Sequence, residues 1–235
     1  MINGKKILAI IPARAGSKRV LNKNTRELCG HPLIGWTLKD LKSSKYIDHC
    51  YVSTDSLDIQ KIAKAYSVDC DPLRSSELSQ DDTTTFDVVQ DIIETKKKDF
   101  DILVLLQPTS PLRSLEDIDK SLEFFCEKNA NSVTSVCEAE SHPSWSSPLP
   151  EDKAMDELIK KLLLKRSQDL ETYYKLNGAI YIISIDKFRE AKAFFAKERA
   201  FAYLMKRTHS IDIDTEEDLL IAECLLRIKT TVNIN

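Results

Sequence analysis

Ile7-Leu8-Ala9-Ile10-Ile11-Pro12-Ala13-Arg14-Ala15-Gly16-Ser17-Lys18-Arg19-Val20-Leu21-Asn22-Lys23-Asn24 is the stretch whose reading decides the fold. Its first five residues form an unbroken apolar run, as in a strand buried on both faces of a parallel sheet. Pro12 lacks an N–H and is expected to stop the ladder there. The loop behind it gathers Arg14, Ser17, Lys18, Arg19 and Lys23 around Gly16, which lets the backbone turn tightly. Cations, hydroxyls and N–H groups converging just past the carboxyl end of a strand make a cradle for a polyanion. A solvated basic loop would carry the same charges; the position directly after the first strand favours phosphate. The stretch is neither a Walker A loop nor a G-x-G-x-x-G fingerprint, so those mechanisms do not apply.

Outward from this stretch the chain alternates strand and helix, which predicts an α/β sheet with mostly parallel strands. Pro32 stands where a helix begins, with Leu33, Trp36 and Leu41 directed at the sheet. His49–Ser53 reads as the second strand, ending in Thr54-Asp55. Ser56–Tyr66 reads as a helix with Leu57, Ile59, Ile62 and Ala63 inward, and Thr83–Lys98 as another with Phe86, Val89, Ile92 and Ile93. Ile102–Leu106 is the most hydrophobic strand and is placed centrally. It runs into the proline-stiffened Gln107-Pro108-Thr109-Ser110-Pro111-Leu112-Arg113, after which Ser114 caps a helix to about Lys128 with Asp117 as its box partner. Residues 138–174 break the rhythm, with three prolines, a serine-rich stretch (Ser144–Ser147) and a basic amphipathic piece, Leu158–Arg166. So long an excursion is usually functional or packed against something, and its apolar face (Leu158, Ile159, Leu162, Leu163) calls for a partner subunit as cover. The sheet resumes at Gly178–Ile183, followed by a helix near Lys187–Lys197. The division expected is a domain of residues 1–137 and 175–235, with 138–174 inserted as an arm.

The chain of 235 residues is long enough for a substantial core. Its net charge of −3 disfavours a duplex nucleic-acid partner, which usually demands a basic excess. No apolar run approaches the roughly 20 residues needed to span a bilayer. Lys5-Lys6 precede only the first strand, with no small-residue cleavage site behind it, so a cytoplasmic location is expected. Six cysteines are scattered without a C-x-x-C pair and read as reduced, mostly buried thiols. Four dispersed histidines argue against zinc, so any metal should be a hard ion on oxygen ligands.

The second chemical cluster is Ser210-Ile211-Asp212-Ile213-Asp214-Thr215-Glu216-Glu217-Asp218. In a strand, side chains alternate faces, so Asp212 and Asp214 point one way while Ile211 and Ile213 enter the core. Thr215 with Asp218 forms a variant capping box that starts a helix. Two carboxylates on one face repel unless a cation lies between them, and Mg²⁺ is commonly held by one or two carboxylates plus phosphate oxygens. Two solvated surface acids, one of them supporting the helix N-terminus, would also fit. Together with the first loop, the pair favours a metal–triphosphate site and nucleotidyl transfer: a substrate oxygen attacks the α-phosphorus and pyrophosphate leaves. A kinase would use similar parts with different nucleotide loops.

These segments resemble the N-acylneuraminate cytidylyltransferases, or CMP-sialic acid synthetases, including those for legionaminic and pseudaminic acids. The resemblance rests on Ile11–Asn24, Ser53-Thr54-Asp55, Leu105–Arg113, Asn177-Gly178-Ala179-Ile180-Tyr181 and Asp212-Ile213-Asp214-Thr215, in order along nearly the whole chain. Kdo cytidylyltransferases share the logic of the first loop but are less similar through the glutamine–proline loop and N-G-A-I-Y. The resemblance implies a Rossmann-like nucleotidyltransferase fold that takes CTP with Mg²⁺ and activates a nonulosonic acid. By position, Arg14, Ser17 and Lys23 hold phosphates and Asn24 lies near the nucleotide. Arg74 and the Thr83–Thr85 stretch contact the cytosine region. Gln107 and Tyr181 meet the sugar acid, and Phe194 and Phe195 pack near its N-acyl group. Asp212 and Asp214 match the metal pair, one of which can also draw the proton from the anomeric hydroxyl. The arm implies a homodimer, with Arg166 approaching the sugar carboxylate or phosphates of the neighbouring active site. Ala15 and Leu21 replace a frequent glycine and a usual proline, changing loop stiffness rather than charge. No lysine stands beside His142-Pro143, where some members carry a basic residue. A catalytically silent nucleotide-sugar-binding relative, a CMP-Kdo synthetase-like enzyme and a glycosyltransferase of similar fold are the alternatives.

Overall fold

A computed structural model describes residues 1–17, 19–80, 82–96, 99–162 and 171–232. In chain order they form β1 (Ile7–Pro12), a small hairpin of β2 (Glu27–Leu28) and β3 (His31–Pro32), α1 (Leu33–Leu41), β4 (His49–Ser53), α2 (Leu57–Ala65) and α3 (Thr85–Lys96). Then come β5 (Ile102–Leu106), α4 (Leu115–Glu127), β6 (Ser132–Glu138), α5 (Asp156–Leu162), β7 (Tyr174–Ser184), α6 (Ile185–Ala191), β8 (Ala200–Leu204) and α7 (Glu216–Val232). The main sheet has six strands in the order β4-β1-β5-β7-β6-β8. β1 lies parallel to β4 and β5, β7 runs antiparallel to β5 and β6, and β8 is parallel to β6, so β7 alone opposes the others. The fold is the α/β architecture with a mostly parallel sheet that the alternation predicts.

Every residue of β5 is buried, because both faces of the sheet are covered. On one face Ile7, Ala9, Ile11, Val104 and Leu106 meet Ile34 and Leu38 of α1, Ile59 of α2 and Ile118 and Leu122 of α4. On the other, Leu8, Ile10, Leu103 and Leu105 meet Val89 and Ile92 of α3 and Phe188 of α6. Each of these Val, Leu, Ile and Phe side chains contributes about 1.5–3 kcal/mol by leaving water. A third cluster joins Val20, Leu28, Leu33 and Leu112 to Ile213, Leu219 and Leu226, fastening α7 to the first loop.

Several boundaries differ from the sequence expectation for identifiable reasons. Pro12 stays in β1, paired in register with Ser53 at the strand end, where a missing N–H costs little. Leu33 and Trp36 turn toward α7 rather than the sheet, and the Trp36 indole N–H donates to the Leu28 carbonyl. Ser56 caps α2 as its Oγ accepts from the Ile59 N–H, but Leu57, in the first turn, is 61% exposed. α3 starts at Thr85, because Thr84 and Asp87 bond reciprocally in a capping box ahead of it. α6 occupies Ile185–Ala191 rather than 187–197, ended by Lys192 at φ 50°. β6, where Ser and Thr interrupt the apolar residues, and β8, a short apolar run at the exposed sheet edge, lie outside the elements that the sequence predicts. β7 starts at Tyr174, earlier than Gly178, because Asn177 and Gly178 lie in a bulge inside the strand. Ser114 and Asp117 form the expected box at α4. Of the six cysteines, all free, Cys70 and Cys137 are buried and Cys224 is exposed.

Within 138–174, Pro143–Trp145 forms a 3-10 turn, and the His142 ring meets Tyr173 edge-on at 4.4 Å, tying the two ends of the excursion together. Leu163 and Arg166 lie outside the described residues. No helix among the described residues is long and apolar enough to cross a membrane.

Candidate active site

The first loop is propped from β4. Ala13 N–H donates to the Ser53 carbonyl at 2.9 Å, and Ala15 N–H donates to Asp55 Oδ1 at 2.9 Å. Asn24, buried, donates from Nδ2 to the Arg14 carbonyl at 3.0 Å, bracing the loop across its width. Val20 anchors the loop in the third apolar cluster, and Arg19 beside it is exposed. Lys23, by contrast, has a side chain only 15% exposed. Its Nζ donates to the Ile213 carbonyl at 2.7 Å and to Asp214 Oδ1 at 3.2 Å. Arg19 Nη2 approaches the other oxygen of Asp214 at 3.1 Å. One carboxylate at the end of the chain is thus straddled by two cations from its beginning.

The Asp212-Ile213-Asp214 segment belongs to no strand or helix, which corrects the expected strand. Ile213 N–H donates instead to the Thr109 carbonyl at 2.8 Å. The alternation holds without the ladder: Ile213 is fully buried while Asp212 and Asp214 both open onto one cleft. Asp218, not Asp214, supports the helix: it accepts from the N–H groups of Asp214 and Thr215, forming the box with Thr215.

That cleft has a volume of about 560 Å³. Arg14, Ser17, Lys23 and Asn24 line it from the loop, and Arg74, Thr83 and Thr85 from the segment before and at the start of α3. Gln107, Asp212 and Asp214 complete it from the far side. It opens at the carboxyl ends of β1 and β5, the usual crevice for ligands in an open α/β sheet. Arg74 is aimed by two bonds to Ser53, Nε to Oγ at 3.0 Å and Nη2 to the carbonyl at 2.6 Å. Burial draws its pKa down, and the Asp55 charge opposes that. Tyr181, Phe194 and Phe195 do not line this cleft. They form an adjacent aromatic group, with both phenyl centroids 5.9 Å from the Tyr181 ring. Tyr181 still senses the acid pair: burial first, and then the Asp212 charge, raise its pKa.

Two contributors escaped the sequence reading. Thr109 holds the acid segment, and Arg113, only 2% exposed, donates to the Gln107 carbonyl at 3.1 Å, the Ala179 carbonyl at 2.8 Å and Thr37 Oγ1 at 2.7 Å. A cation ending a proline-rich loop reads as surface, and nothing local signals its burial. Among the described residues no group of three or more His, Cys, Asp or Glu side chains could hold a metal. A cation here would therefore take two carboxylates and draw its remaining ligands from a substrate, as Mg²⁺ does beside phosphates. Asp212 fits that use, because its negative charge is incompletely neutralised by the protein.

Comparison with known proteins gives a consistent picture. A family model described as cytidylyltransferase matches residues 8–229. The CMP-N,N'-diacetyllegionaminic acid synthase of Legionella pneumophila is 38% identical over 232 residues, covering 95% of this chain and 97% of that protein. An N-acylneuraminate cytidylyltransferase of Streptococcus agalactiae is 34% identical over 92% of this chain, which spans about half (52%) of that longer protein. A solved CMP:2-keto-3-deoxy-manno-octonic acid synthetase complexed with CTP superposes with a TM-score of 0.72 over 95% of this chain and 99% of that one. Its 15% identity makes this a likeness of fold alone.

The Asp212 carboxyl sits above its ordinary value of 3.8 because the cleft desolvates it and Asp214 repels it, against a hydrogen bond from Thr109 and the charge of Lys23. Between the ordinary and the raised value the folded chain holds more protons than the unfolded one, so this group subtracts stability as pH rises through that window. In metal-free buffer at pH 7, Asp212→Asn should therefore unfold at a higher temperature than wild type. The gap should close below about pH 4, where both carry a neutral side chain. Thermal melts across pH check this, and a variant less stable at pH 7 contradicts it.

Proposed function

This chain belongs to the cytidylyltransferase family, and from that premise we propose that it activates a nonulosonic acid with CTP, giving the CMP-sugar and pyrophosphate. The observation that carries the reading is the contact of Lys23 with Ile213 and Asp214, which turns the cationic loop and the acid pair toward one cleft. The anomeric oxygen of the acid forms the new bond to the α-phosphorus as the bond to the bridging oxygen of the pyrophosphate breaks. Arg14, Ser17 and Lys23 bind the phosphates and offset charge on the leaving group, while Arg74, Thr83 and Thr85 hold the cytosine end and Asn24 braces the loop between them. Gln107 orients the acid. Asp214 is engaged by Arg19 and Lys23, so we assign to Asp212 the proton leaving the anomeric hydroxyl. Asp212 and Asp214 would hold Mg²⁺, which when bound neutralises charge on the triphosphate. A CTP-consuming enzyme works where CTP is made, in the cytoplasm.

The name of the Legionella relative favours N,N'-diacetyllegionaminic acid as acceptor. Pyrophosphate release from CTP, measured against neuraminic, legionaminic, pseudaminic and Kdo acids, should be fastest with the legionaminic acid. Release with Kdo alone would make the chain a CMP-Kdo synthetase, and release with none of them would sink the enzyme reading. With the best acid, Arg14→Ala or Asp212→Asn should lower turnover about a hundred-fold or more without unfolding the chain, as loss of one preorganised charge-stabilising group does. Near-wild-type rates at saturating Mg²⁺ would overturn the site assignment.

Residues 138–174 are proposed as a dimerisation arm inserted between 1–137 and 175–235, with Arg166 reaching the neighbouring site. The support is apolar surface the chain leaves open there: Ile159 is 46% exposed on α5, and Leu149 and Met155 are also exposed. The wild-type chain should sediment at twice its 26.8 kDa, and Ile159→Asp should shift it to the monomer mass. A monomeric wild type at micromolar concentration contradicts the arm's role.

A further inference from the structure

Strand pairing alone leaves the bulge in β7 unaccounted for. Thr134 pairs with Tyr181 and Val136 with Leu176, so residues 177–180 of β7 stand opposite Ser135 alone. The Ser135 hydroxyl fills the gap, donating to Asn177 Oδ1 at 2.6 Å and accepting from the Ile180 N–H at 2.8 Å. Asn177, also buried, donates from Nδ2 to Ser210 Oγ at 2.9 Å, two residues before Asp212. Gly178 follows in the left-handed region at φ +72°. A Cβ at that position would lie 3.0 Å from Gln107 Oε1 and 3.8 Å from Asp212 Oδ2. Bulges of this kind re-aim side chains next to active sites.

The backbone behind these two side chains is pinned. Arg113 holds the Gln107 carbonyl to the Ala179 carbonyl, and Asn177 holds the start of the acid segment through Ser210. A side chain at 178 would therefore be accommodated by displacing the Gln107 amide, not by moving the chain.

We infer that Gly178 is a specificity-determining position for the acceptor. Its missing side chain fixes where the Gln107 amide stands beside Asp212, and hence the room left for polar substituents of the acid next to its attacking oxygen. This rests on the proposed function, in which Gln107 meets the acid. It concerns the acceptor alone, because Gly178 is remote in role from the Arg74, Thr83 and Thr85 side of the cleft that takes the nucleotide.

The test is a double-mutant cycle read as separate KM values for acid and CTP. Gly178→Ala should raise the KM for the acid about ten-fold, the scale of one misplaced methyl in a substrate pocket, and leave the KM for CTP within about two-fold. In the Gln107→Ala background, where no amide remains to be displaced, adding Gly178→Ala should change the acid KM by less than about two-fold. Gly30→Ala supplies the strain control: Gly30 has φ +80° and nothing within 4 Å of a built Cβ, so it carries the same backbone cost without the encounter. Its melting temperature should fall as far as that of Gly178→Ala while both KM values stay at wild type. If Gly178→Ala acts equally in both backgrounds, backbone strain is its cause and the inference fails while the function stands. If Gln107→Ala leaves the acid KM unchanged, the acceptor assignment itself fails, and the inference with it.

Discussion

The bond from the Lys23 ammonium to the Ile213 carbonyl and the Asp214 carboxylate is the constraint on which the site depends. A cation so far removed from water needs several partners close at hand, since an unpaired buried charge is among the costliest things a fold can contain. The partners come from 190 and 191 residues away, so the contact forms only when the first loop and the α7 end of the chain are docked together. Apolar packing does the docking: Val20 and Leu28 from the loop side close on Ile213 and Leu219. The polar contact then fixes register, because Ile213 is buried and carries an aspartate on either side of it. Two clusters that are each ambiguous as sequence become one chemical surface through this single junction.

The reversed direction of β7 supplies the second half of the cleft. Had β7 run parallel to β5, its first residues would lie at the opposite edge of the sheet. Running antiparallel, it sets Ile180 beside Leu106 and brings Asn177-Gly178 to the carboxyl ends, next to Gln107 and Asp212. Arg113 makes this arrangement rigid from beneath, joining the loop after β5, strand β7 and helix α1 by three hydrogen bonds. Burial pulls the Arg113 pKa down to about 10, still far above neutrality, so it stays charged. Burial also raises Asp40 to about 6, with the Arg113 charge opposing that rise. Buried ionic groups of this kind add little net stability; their value lies in specifying one geometry.

The parts of the fold legible in sequence are those whose signal is local. β1, β4 and β5 announce themselves as short apolar runs, and Ser114 and Thr215 as caps, because each depends on residues within a few positions. Alternation places Asp212 and Asp214 on one cleft and Ile213 in the core, although the segment is no strand. What was not legible depends on neighbours distant in the chain. β8 is a short apolar run whose place at the exposed sheet edge is set by its ladder to β6, not by the run itself. Trp36 faces α7 because α7 happens to dock there, and Arg113 is buried because three elements converge on it. In the site, the loop cations and acid pair were readable from charge and spacing. The separation of the Tyr181, Phe194 and Phe195 group from the main cleft was not, because it turns on where α6 ends.

The sheet order also divides labour within the cleft. The β4 and β1 side bears Ser53, which aims Arg74, and Asp55, which props the first loop; the β5 and β7 side bears Gln107 and Gly178; the acid pair spans the seam. The β1–β5 ladder joins the two sides beneath the cleft, and Lys23 and Arg19 join them at its rim through Asp214. On the proposed reading, nucleotide recognition and acid recognition fall on opposite sides of the cleft, with Asp212 and Asp214 answerable to both. On that reading, Gly178, which sets the room beside Gln107, sits on a bulge already held open by Ser135 and Asn177.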